Sequence, residues 1–361
     1  MNRPTHGGNL AWAAALAGCS PSLILDFSAS INPLGPPKSA IAAIESQLKD
    51  LIAYPDPQYQ QLRVSLNQLH PTLTPEWILP GNGCAELLTW AARELSELEG
   101  TCLVTPAFSD YKRALKAFDA KVREYPLELQ VGRLQVAGYL PTFQLSNLKP
   151  TLGLLLNNPH NPTGQLFDRE AILPYLEKFA LVIVDEAFMD FLPPNQQQSL
   201  IPMVQDYENL VILRSLTKFY SLPGLRLGYC ITHPHRLQRW QQWRDPWPVN
   251  VLAAAAATAV VQDVEFQQQT WDWLAPTRSQ LFQGLASLPG LQPYPSAANF
   301  LLVQSEQPSS RVQEKLLKQS QILIRDCLSF PELGDRYFRV AVRTEADNKR
   351  LLEGLEAILK S

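Results

Sequence analysis

The sequence has 361 residues, of which 46% are hydrophobic and 18% are charged, and its formal net charge is −3 at pH 7. This length exceeds the size at which one hydrophobic core keeps growing, so we expect a globular protein of two packed units. Neither sign of charge dominates and there is no run of Lys or Arg, which argues against nucleic acid or an anionic membrane as a partner.

The cysteines predict neither a disulfide framework nor a metal site. There are five of them, an odd number, and no two are spaced as CxxC; they are Cys19, Cys84, Cys102, Cys230 and Cys327. Zinc sites and disulfide-rich folds use closely spaced or paired cysteines. We therefore expect no metal ion and a cytoplasmic location.

The N-terminal segment permits two interpretations. Arg3 precedes "LAWAAALAGC" (10–19), whose last four residues resemble a bacterial lipoprotein cleavage box. However, the apolar stretch is short, and it is flanked by Asn9 and Gly18, which are typical residues for the start and end of a helix. We favour a helix in an N-terminal arm, with export as the alternative. The apolar stretch 251–261 is also far shorter than the ~20 residues that span a bilayer.

Residues 80 to 231 alternate between helical and strand patterns. A glycine-rich turn, "PGNGCA", precedes an amphipathic helix at 86–98. The predicted strands that follow are 102–105, 121–127, 152–156, 181–185, 209–213 and 225–231. Because several of these strands are almost continuously apolar, both faces of their sheet should be covered. The pattern predicts an α/β fold with a mostly parallel sheet, which binds its ligand beyond the carboxyl ends of the strands.

The pattern changes near "DPWPVN" (245–250), where two prolines interrupt the chain. The elements predicted beyond it are a helical stretch at 251–288, a strand at 299–304, a helix at 309–320, strands near 321–326 and 336–343, and a helix at 345–359. We predict an arm at 1–35 that joins the smaller domain, a large domain at 36–250, and a linker helix with a small α+β domain at 251–361.

Polar side chains follow three of the predicted strands. Asn157, Asn158 and Asn161 lie in "LLLNNPHNPTG", Asp185 ends "LVIVD", and Ser215 and Lys218 lie in "ILRSLTK". Each motif alone is weak evidence, since Asn-Pro turns are common and an Asp at a strand end often caps a helix. Because the carboxyl ends of parallel strands meet at one edge, we expect these groups to share a crevice.

A lysine, a carboxylate and a phosphate site together match the requirements of pyridoxal 5'-phosphate. The lysine forms a Schiff base with the cofactor aldehyde, and the carboxylate keeps the pyridine nitrogen protonated. The candidates for the phosphate are the backbone N–H groups of Gly83, Cys84 and Ala85 at a helix start, the Ser215 hydroxyl and the Arg226 guanidinium. Phe108, in "TPAFSDY" after another strand, is the candidate for stacking on the ring.

The motifs "NPHNPTG", "VDEAF", "SLTK", "SAANFLL" and "FRVAVR" resemble those of fold-type I pyridoxal-phosphate enzymes of the aminotransferase class I/II family. The resemblance implies that Lys218 forms the Schiff base, that Asp185 faces the pyridine nitrogen and that Asn161 donates to the phenolic oxygen of the cofactor. It also implies that Arg339 clamps the substrate carboxylate. Tyr54 would reach the cofactor phosphate of a neighbouring subunit, which implies a homodimer with shared active sites.

Further segments, "HGGN" (6–9), "DFSASINPLGPP" (26–37), "DEAFMDF" (185–191) and "PWPVN" (246–250), resemble the threonine-phosphate decarboxylases of cobalamin biosynthesis within this family. That subfamily converts O-phospho-L-threonine to 1-amino-2-propanol phosphate and CO₂. Transamination, as in the histidinol-phosphate aminotransferases, is the alternative, because sequence cannot show which bond at Cα breaks. A remote alternative is a non-catalytic ligand-sensing domain, although the sequence has no basic helix-turn-helix pattern.

The substrate's own phosphate requires donors that the cofactor phosphate does not use. We expect substrate contacts from His6 and Asn32 in the N-terminal arm and from Arg325, which ends "QILIR", together with Arg339. The alternative is that Arg325 pairs with a surface carboxylate and that the arm takes no part.

Two groups of residues are predicted to be structural. His160 should be solvated or stabilise the turn in "NPHNPTG", and Trp240, Trp243 and Trp247 should pack the domain junction. By the resemblance, Phe188 stands where many relatives have a tyrosine whose hydroxyl donates to the cofactor.

Overall fold

The computed structural model describes residues 3–127 and 150–360. In chain order its strands are β1 (Leu25–Asp26), β2 (Ile78–Gly81), β3 (Gly100–Thr105), β4 (Val122–Pro126), β5 (Leu152–Asn157), β6 (Leu181–Asp185), β7 (Leu210–Ser215), β8 (Gly228–Ile231), β9 (Leu291–Pro293), β10 (Phe300–Ser305), β11 (Ile322–Leu323), β12 (Arg325–Asp326) and β13 (Tyr337–Ala341). The helices are α1 (Leu10–Ala17), α2 (Lys38–Gln47), α3 (Gln60–Asn67), α4 (Cys84–Leu95), α5 (Ser109–Lys116), α6 (Arg169–Leu176), α7 (Pro234–Gln241), α8 (Val251–Val260), α9 (Val264–Ala286), α10 (Ser309–Ser320) and α11 (Glu345–Leu359).

A seven-stranded sheet forms the centre of the larger part, in the order β2-β8-β7-β6-β5-β3-β4. Strand β8 runs antiparallel to its neighbours β2 and β7, and the other strand pairs of this sheet are parallel. The register pairs Asn157 with Asp185 and Asp185 with Leu213, so β5 and β6 end at the same level and β7 extends two residues further, to Ser215. The predicted mostly parallel sheet is confirmed.

Both faces of this sheet are buried, as the apolar strands predicted. Along β6 and β7, Val182 and Ile212 belong to one core cluster, whereas Ile183 and Val211 belong to the cluster on the other face. Successive side chains of a strand point to opposite faces, so a run without polar residues requires cover on both. Helices α4, α5 and α7 cover the second face.

The C-terminal part contains a four-stranded antiparallel sheet in the order β12-β13-β10-β9. A separate parallel pair joins β1, near the N-terminus, to β11. This pairing attaches the N-terminal segment to the C-terminal part of the chain. The domain boundaries near residues 35 and 250 stay predictions.

The N-terminal helix is present as predicted. The Asn9 side chain accepts a hydrogen bond from the backbone N–H of Trp12, and Gly18 ends the helix in the left-handed conformation with φ 70°. A left-handed C-terminal residue favours glycine because residues with a side chain rarely adopt this backbone conformation. Among the described helices, none combines the length and apolar character needed to cross a membrane.

Two predicted elements differ from the observed ones. The stretch at 251–288 forms two helices, because the Asp263 side chain accepts from the N–H of Phe266 and starts a new helix. Strand β2 was not predicted, since it has only four residues and two of them are Pro80 and Gly81. Both residues are depleted in strand interiors, so the local sequence carries little strand signal.

Candidate active site

A cavity of about 220 Å³ lies where β5, β6 and β7 end and the N-terminal segment passes over them. The large-sheet side of its wall includes Phe108, Tyr111, Asn157, Asn161, Asp185 and Lys218. The opposite side includes His6, Gly7, Ser28, Ser30, Arg325 and Arg339. Side chains far apart in the sequence, with a lysine, a carboxylate and two arginines among them, therefore meet in one pocket.

Lys218 follows β7 and lies against an aromatic wall. Its Nζ is 4.8 Å from the centroid of the Phe188 ring, and its carbonyl accepts a hydrogen bond from the N–H of Asn32. Phe188 is buried and packs edge-on against Phe300, with 5.0 Å between the ring centroids. The wall beside the amine is therefore a benzene ring without a hydroxyl.

Asp185 is a partly buried carboxylate with two hydrogen bonds. Oδ2 accepts from the hydroxyl of Tyr111 at 2.7 Å, and Oδ1 accepts from the N–H of Ala187 at 2.9 Å. Burial raises the pKa of Asp185, while the charge of Lys218 and these two hydrogen bonds oppose the rise. A buried carboxylate gains from a cationic partner, so a protonated pyridine nitrogen is a suitable group to place beside it.

Tyr111 was not predicted from the sequence. It lies three residues after Phe108, which directly precedes α5, and the two rings pack edge-on with centroids 5.7 Å apart. Burial and the neighbouring Asp185 raise the pKa of Tyr111 well above its ordinary value. The phenol therefore stays protonated and can only donate to Asp185.

The predicted phosphate donors converge at the start of α4. Gly83 precedes the helix with φ 75°, and a Cβ there would lie 2.8 Å from Nη2 of Arg226. Arg226 is itself in the left-handed region with φ 57°. Non-glycine residues with this conformation are uncommon and concentrate at functional sites.

Gly228 was not predicted from the sequence as a site residue. It brings Ser215 close to the N–H groups at the start of α4. It pairs with Ser215 across β7 and β8, and a Cβ on it would lie 2.9 Å from the backbone N of Cys84. A residue with a side chain would separate β8 from the start of α4. The glycine therefore allows Ser215 and the N–H groups of the first helical turn to face one anion.

Cys84 contributes its backbone rather than its thiol. Its Sγ donates to the carbonyl of Arg214 at 3.0 Å, and burial raises the pKa of the thiol to about 12. A thiol that stays protonated is a poor nucleophile. The sequence had assigned only the N–H of this residue to the site.

Asn161 and Arg339 are held together in the pocket. Arg339 donates through Nη1 to Oδ1 of Asn161 and through Nη2 to the carbonyl of Ser28, and its guanidinium lies 4.7 Å from the centroid of the Phe300 ring. With its oxygen occupied, Asn161 has its NH₂ group left as a donor. Burial, together with the charge of Arg325, lowers the pKa of Arg339 to about 10, so it is a cation at neutral pH.

Arg325 lies in the pocket beside Arg339 and not at the surface. It donates to the carbonyl of Thr5 and to Oγ of Ser329, and its Nη1 is 3.5 Å from the carbonyl of Pro4. Nη1 of Arg325 also lies 3.5 Å from Oδ1 of the neighbouring carboxylate, Asp326. The carbonyls of the N-terminal segment therefore occupy donors that a substrate phosphate could use.

The "HGGN" segment contacts the pocket directly. The His6 ring lies 5.5 Å from that of Phe108, and the N–H of Gly8 donates to Oγ of Ser28 at 2.8 Å. Burial lowers the pKa of His6. The structure thus brings His6, Arg325 and Arg339 to the same cavity as Lys218.

Comparison with known proteins identifies the family of this chain. The sequence profile described as Aminotransferase class I and II matches residues 23–355. The chain belongs to this family. It is 40% identical over 98% of its length to the threonine-phosphate decarboxylase of Salmonella typhimurium, of which it covers 96%. It is 35% identical over 91% of its length to the histidinol-phosphate aminotransferase of Symbiobacterium thermophilum, of which it covers 88%.

A solved structure agrees with the family assignment. The histidinol-phosphate aminotransferase of Sinorhizobium meliloti, determined in complex with pyridoxal-5'-phosphate, has a TM-score of 0.84 with 22% sequence identity. The match covers 98% of this chain and 95% of that chain. The fold-type I architecture expected for the aminotransferase class I and II family is therefore present.

Asn32 does not line the pocket, contrary to the substrate contact expected of it. Its Nδ2 donates to the carbonyl of Phe219 at 2.8 Å and to Oγ1 of Thr270 at 2.9 Å, while Oδ1 accepts from the N–H of Leu34. The hydrogen bonds of this buried side-chain amide are therefore all made to other residues of the protein. Ser30, two residues earlier, lines the pocket instead.

Tyr54 lies outside the pocket of its own chain. Its side chain is 78% exposed and stacks on Trp247 with ring centroids 4.4 Å apart. A contact with the cofactor phosphate, as the aminotransferase class I/II resemblance implies, requires a second subunit. That role of Tyr54 stays a prediction.

The histidine and tryptophan predictions are partly corrected. His160 is fully buried rather than solvated, and its Nδ1 lies 2.8 Å from Oγ1 of Thr163, so it stabilises the turn; burial lowers its pKa to about 3. Trp240 and Trp243 pack α7 against α4 rather than a domain junction. Trp240 donates to Glu94 of α4, and the Trp243 ring lies beside Arg93 of α4 and Arg239 of α7.

A buried ion-pair network on the other face of β7 was not predicted. Arg214 pairs with Glu186 at 3.0 Å and also with Asp190. Arg214 directly precedes Ser215, and Glu186 directly follows Asp185. The network therefore links the ends of the two strands that lead into Asp185 and Ser215.

Proposed function

We propose that this chain is a pyridoxal-phosphate-dependent decarboxylase that converts O-phospho-L-threonine to 1-amino-2-propanol phosphate and CO₂ in cobalamin biosynthesis. The observation that carries the proposal is the pair of buried arginines, Arg325 and Arg339, in the same cavity as Lys218. A substrate with both a carboxylate and a phosphate supplies one anion for each. The similarity to the threonine-phosphate decarboxylase over 98% of the chain supports the same substrate.

The residues present fit pyridoxal 5'-phosphate. Lys218 would hold the aldehyde carbon, Asp185 the ring nitrogen, and the Gly83 turn with Ser215 and Arg226 the phosphate. The hydrogen bond from Tyr111 to Asp185 and the close packing of Gly83 against Arg226 are specific features of this pocket. A pocket that binds no such cofactor would not require them. When bound, the cofactor supplies an aromatic ring that accepts the electron pair released at Cα of the substrate.

The protein selects the reaction by orienting the substrate. A group that fixes the substrate carboxylate would decide which bond at Cα can release its electrons to the cofactor. Arg339 is suited to this role because Asn161, Ser28 and Phe300 hold its guanidinium in place. Loss of CO₂ leaves Cα in need of a proton, and the Lys218 amine is the group we assign to deliver it.

The N-terminal segment is proposed to shield this chemistry from water. His6 and Gly7 form part of the pocket wall, and the segment is fastened by the bonds from Arg325 and from Gly8. Closing elements of this kind exclude water and complete the binding site. Substrate entry would require these bonds to open.

Transamination is the second candidate, because the chain is also 35% identical to a histidinol-phosphate aminotransferase. One assay separates the two reactions. Purified protein with cofactor is incubated with O-phospho-L-threonine, with and without a 2-oxo acid acceptor, while CO₂ and amino transfer are followed separately. CO₂ release without an acceptor supports decarboxylation, whereas acceptor-dependent transfer from histidinol phosphate supports the aminotransferase.

We also propose that the enzyme is a homodimer. Leu48, Leu51 and Ile52 are more than half exposed and lie close in sequence to Tyr54, which stacks on Trp247. Exposed apolar clusters of this kind mark protein interfaces. Size-exclusion chromatography with light scattering tests this proposal, and a monomer mass at micromolar concentration would contradict it.

A cytoplasmic location completes the proposal. All five cysteines are free thiols in the structure. Unpaired cysteines fit a reducing compartment.

A further inference from the structure

A second cavity, of about 320 Å³, lies against β7 and β8 and shares no wall residue with the cavity that contains Lys218. Its wall includes Arg169, Asp190, Arg214, Phe219, Tyr220 and Trp271, and we call it the back pocket. Because Arg214 and Phe219 directly flank the segment 215–218, a ligand in the back pocket would contact the chain on both sides of that segment.

The back pocket contains one carboxylate more than its buried guanidinium can neutralise. Arg214 is 2% exposed and pairs with both Glu186 and Asp190. Asp190 uses only Oδ1 for this pair, and no described residue donates to Oδ2. His70, also in the wall, adds no charge, because burial and the charge of Arg214 lower its pKa to about 3. The free carboxylate oxygen is therefore suited to a cationic group of a ligand.

Tyr220 contributes a buried donor to the same pocket. It is 3% exposed, and its hydroxyl accepts a hydrogen bond from Nε2 of Gln267 at 3.1 Å, but no described residue accepts the proton of the hydroxyl itself. Burial and the charge of Asp190 raise the pKa of Tyr220 well above its ordinary value, so the phenol stays protonated. Native proteins pair almost all buried donors, so this hydroxyl indicates an acceptor on a bound molecule.

Arg169 contributes a second set of donors. It is half-buried, its Nε donates to the carbonyl of Ser199 at 2.8 Å, and no described carboxylate pairs with its guanidinium. Oγ of Ser199 accepts from Nη2 of Arg214 at 3.1 Å, so Ser199 joins the two arginines. A guanidinium with free donors and a carboxylate with a free oxygen thus face one cavity.

We propose that the back pocket is a second binding site for a small zwitterion that carries an ammonium group and an anionic group, such as an amino acid or an aminoalkyl phosphate. The ammonium group pairs with Oδ2 of Asp190 beside the rings of Phe219 and Trp271, whose centroids are 6.1 Å apart and whose faces attract cations. The anionic group accepts from Tyr220 and Arg169. A volume of this size holds a small molecule.

The test is calorimetry on the holoenzyme with O-phosphoethanolamine, which has an ammonium group and a phosphate. Tyr220→Phe removes only the phenolic hydroxyl, and Arg169→Gln removes only the charge. Each should weaken one binding event about 10-fold or more, the loss expected for a hydrogen bond to a charged group. Tyr207→Phe is the matched control, because Tyr207 packs against the same core cluster as Tyr220 but does not line the back pocket.

Arg325→Ala separates the back pocket from the active site. An event that Arg325→Ala weakens belongs to the cavity that contains Lys218, so the event weakened by Tyr220→Phe should be a different one. The proposal is overturned if Tyr220→Phe and Arg169→Gln leave every binding event unchanged, or if they weaken the same event as Arg325→Ala. Ordered water alone in the back pocket of holoenzyme crystals grown with the probe would also overturn it.

Smaller probes test the two halves of the zwitterion. Ethanolamine lacks the anion and inorganic phosphate lacks the ammonium group, so each should bind the back pocket at least 10-fold more weakly than O-phosphoethanolamine. Inorganic phosphate that binds equally well would contradict recognition of an ammonium group. β-Alanine replaces the phosphate by a carboxylate, and the tighter of the two zwitterions identifies the natural ligand as an aminoalkyl phosphate or an amino acid. None of these results depends on whether the enzyme releases CO₂ from O-phospho-L-threonine.

Discussion

Arg325 and Arg339 lie directly opposite each other on the antiparallel strands β12 and β13. Directly opposed residues in a sheet project to the same face, so two guanidinium groups enter one cavity. Burial lowers the pKa of both, and the charge of Arg325 lowers that of Arg339 further. Two adjacent buried cations favour an anionic ligand, and the closed N-terminal segment currently supplies only neutral carbonyls to Arg325.

Replacing Arg325 by Ala should weaken the binding of O-phospho-L-threonine by ~2 to 3 kcal/mol, the scale of a charge-assisted hydrogen-bond pair. The affinity for L-threonine should change much less, because it has no phosphate. The kcat/KM for O-phospho-L-threonine and the calorimetric affinity of the holoenzyme for L-threonine measure the two effects. Arg350→Ala, which removes an exposed arginine on α11, is the control. Equal weakening of both ligands would mean that Arg325 does not recognise the phosphate.

Lys218→Ala should fold normally and lose both the visible absorbance of covalently held cofactor and nearly all turnover. The reason is that no other described lysine lines the pocket. Absorbance spectra and CO₂ release check the two losses, with Lys349→Ala on the exposed face of α11 as the control. A yellow, active variant would refute the role assigned to Lys218.

Sequence patterns predicted the strand ends well, but not which side chain of an irregular segment enters the pocket. Asp185 and Lys218 follow apolar strands, so their placement depends on local periodicity alone. Ser28, Ser30 and Asn32 form a segment without regular structure, and its orientation depends on Phe219 and Thr270, which are about 190 to 240 positions away. For Tyr111, the one local feature of the sequence is its i+3 spacing from Phe108. This spacing indicates that the two rings are neighbours on a helix, but it does not identify Asp185 as a hydrogen-bond partner.

Tyr111→Phe should shift the acidic limb of the pH–activity profile to higher pH. Burial already raises the pKa of Asp185, and the bond from Tyr111 opposes that rise, so removing the hydroxyl raises the pKa further. In the role proposed for Asp185, activity requires its ionised carboxylate and is lost as the pH falls through its pKa. The acidic limb must therefore move upward, with a loss of turnover at neutral pH of roughly 10-fold or less.

The profile of kcat against pH measures this shift. Asp185→Asn shows the effect of removing the ionisable carboxylate altogether. Because that variant has no titrating carboxylate, its turnover should be very low at every pH. An unchanged acidic limb in Tyr111→Phe would show that the hydrogen bond does not tune Asp185.

Phe188→Tyr adds a hydroxyl to the ring beside Lys218. If the ring faces the phenolic oxygen of the bound cofactor, the new donor stabilises the deprotonated form and lowers the pH at which the cofactor absorbance changes. The buried position also predicts a packing cost of about 1–3 kcal/mol, seen as a lower melting temperature. A spectroscopic titration checks the first effect, and a midpoint that is unchanged or higher would place the hydroxyl elsewhere.

The last prediction tests whether Tyr54 acts on the neighbouring subunit. Lys218→Ala and Tyr54→Ala should each be poorly active alone. In a mixed dimer, one site carries both changes and the other carries neither, provided that Tyr54 reaches across the interface. Refolding the two variants together in equal amounts should therefore recover about a quarter of wild-type activity, since half of the dimers are mixed and each has one intact site.

If Tyr54 serves its own subunit, no site in the mixed dimer is intact, and activity should stay at the level of the separate variants. Trp247 provides a second check, because its ring supports the exposed Tyr54 at 4.4 Å. Trp247→Ala should weaken cofactor retention, measured as absorbance lost on dialysis, and Trp247→Phe should preserve most of it, because an aromatic pair contributes about 0.5–1.5 kcal/mol. Equal retention in both variants would mean that the stacking of Trp247 does not position Tyr54.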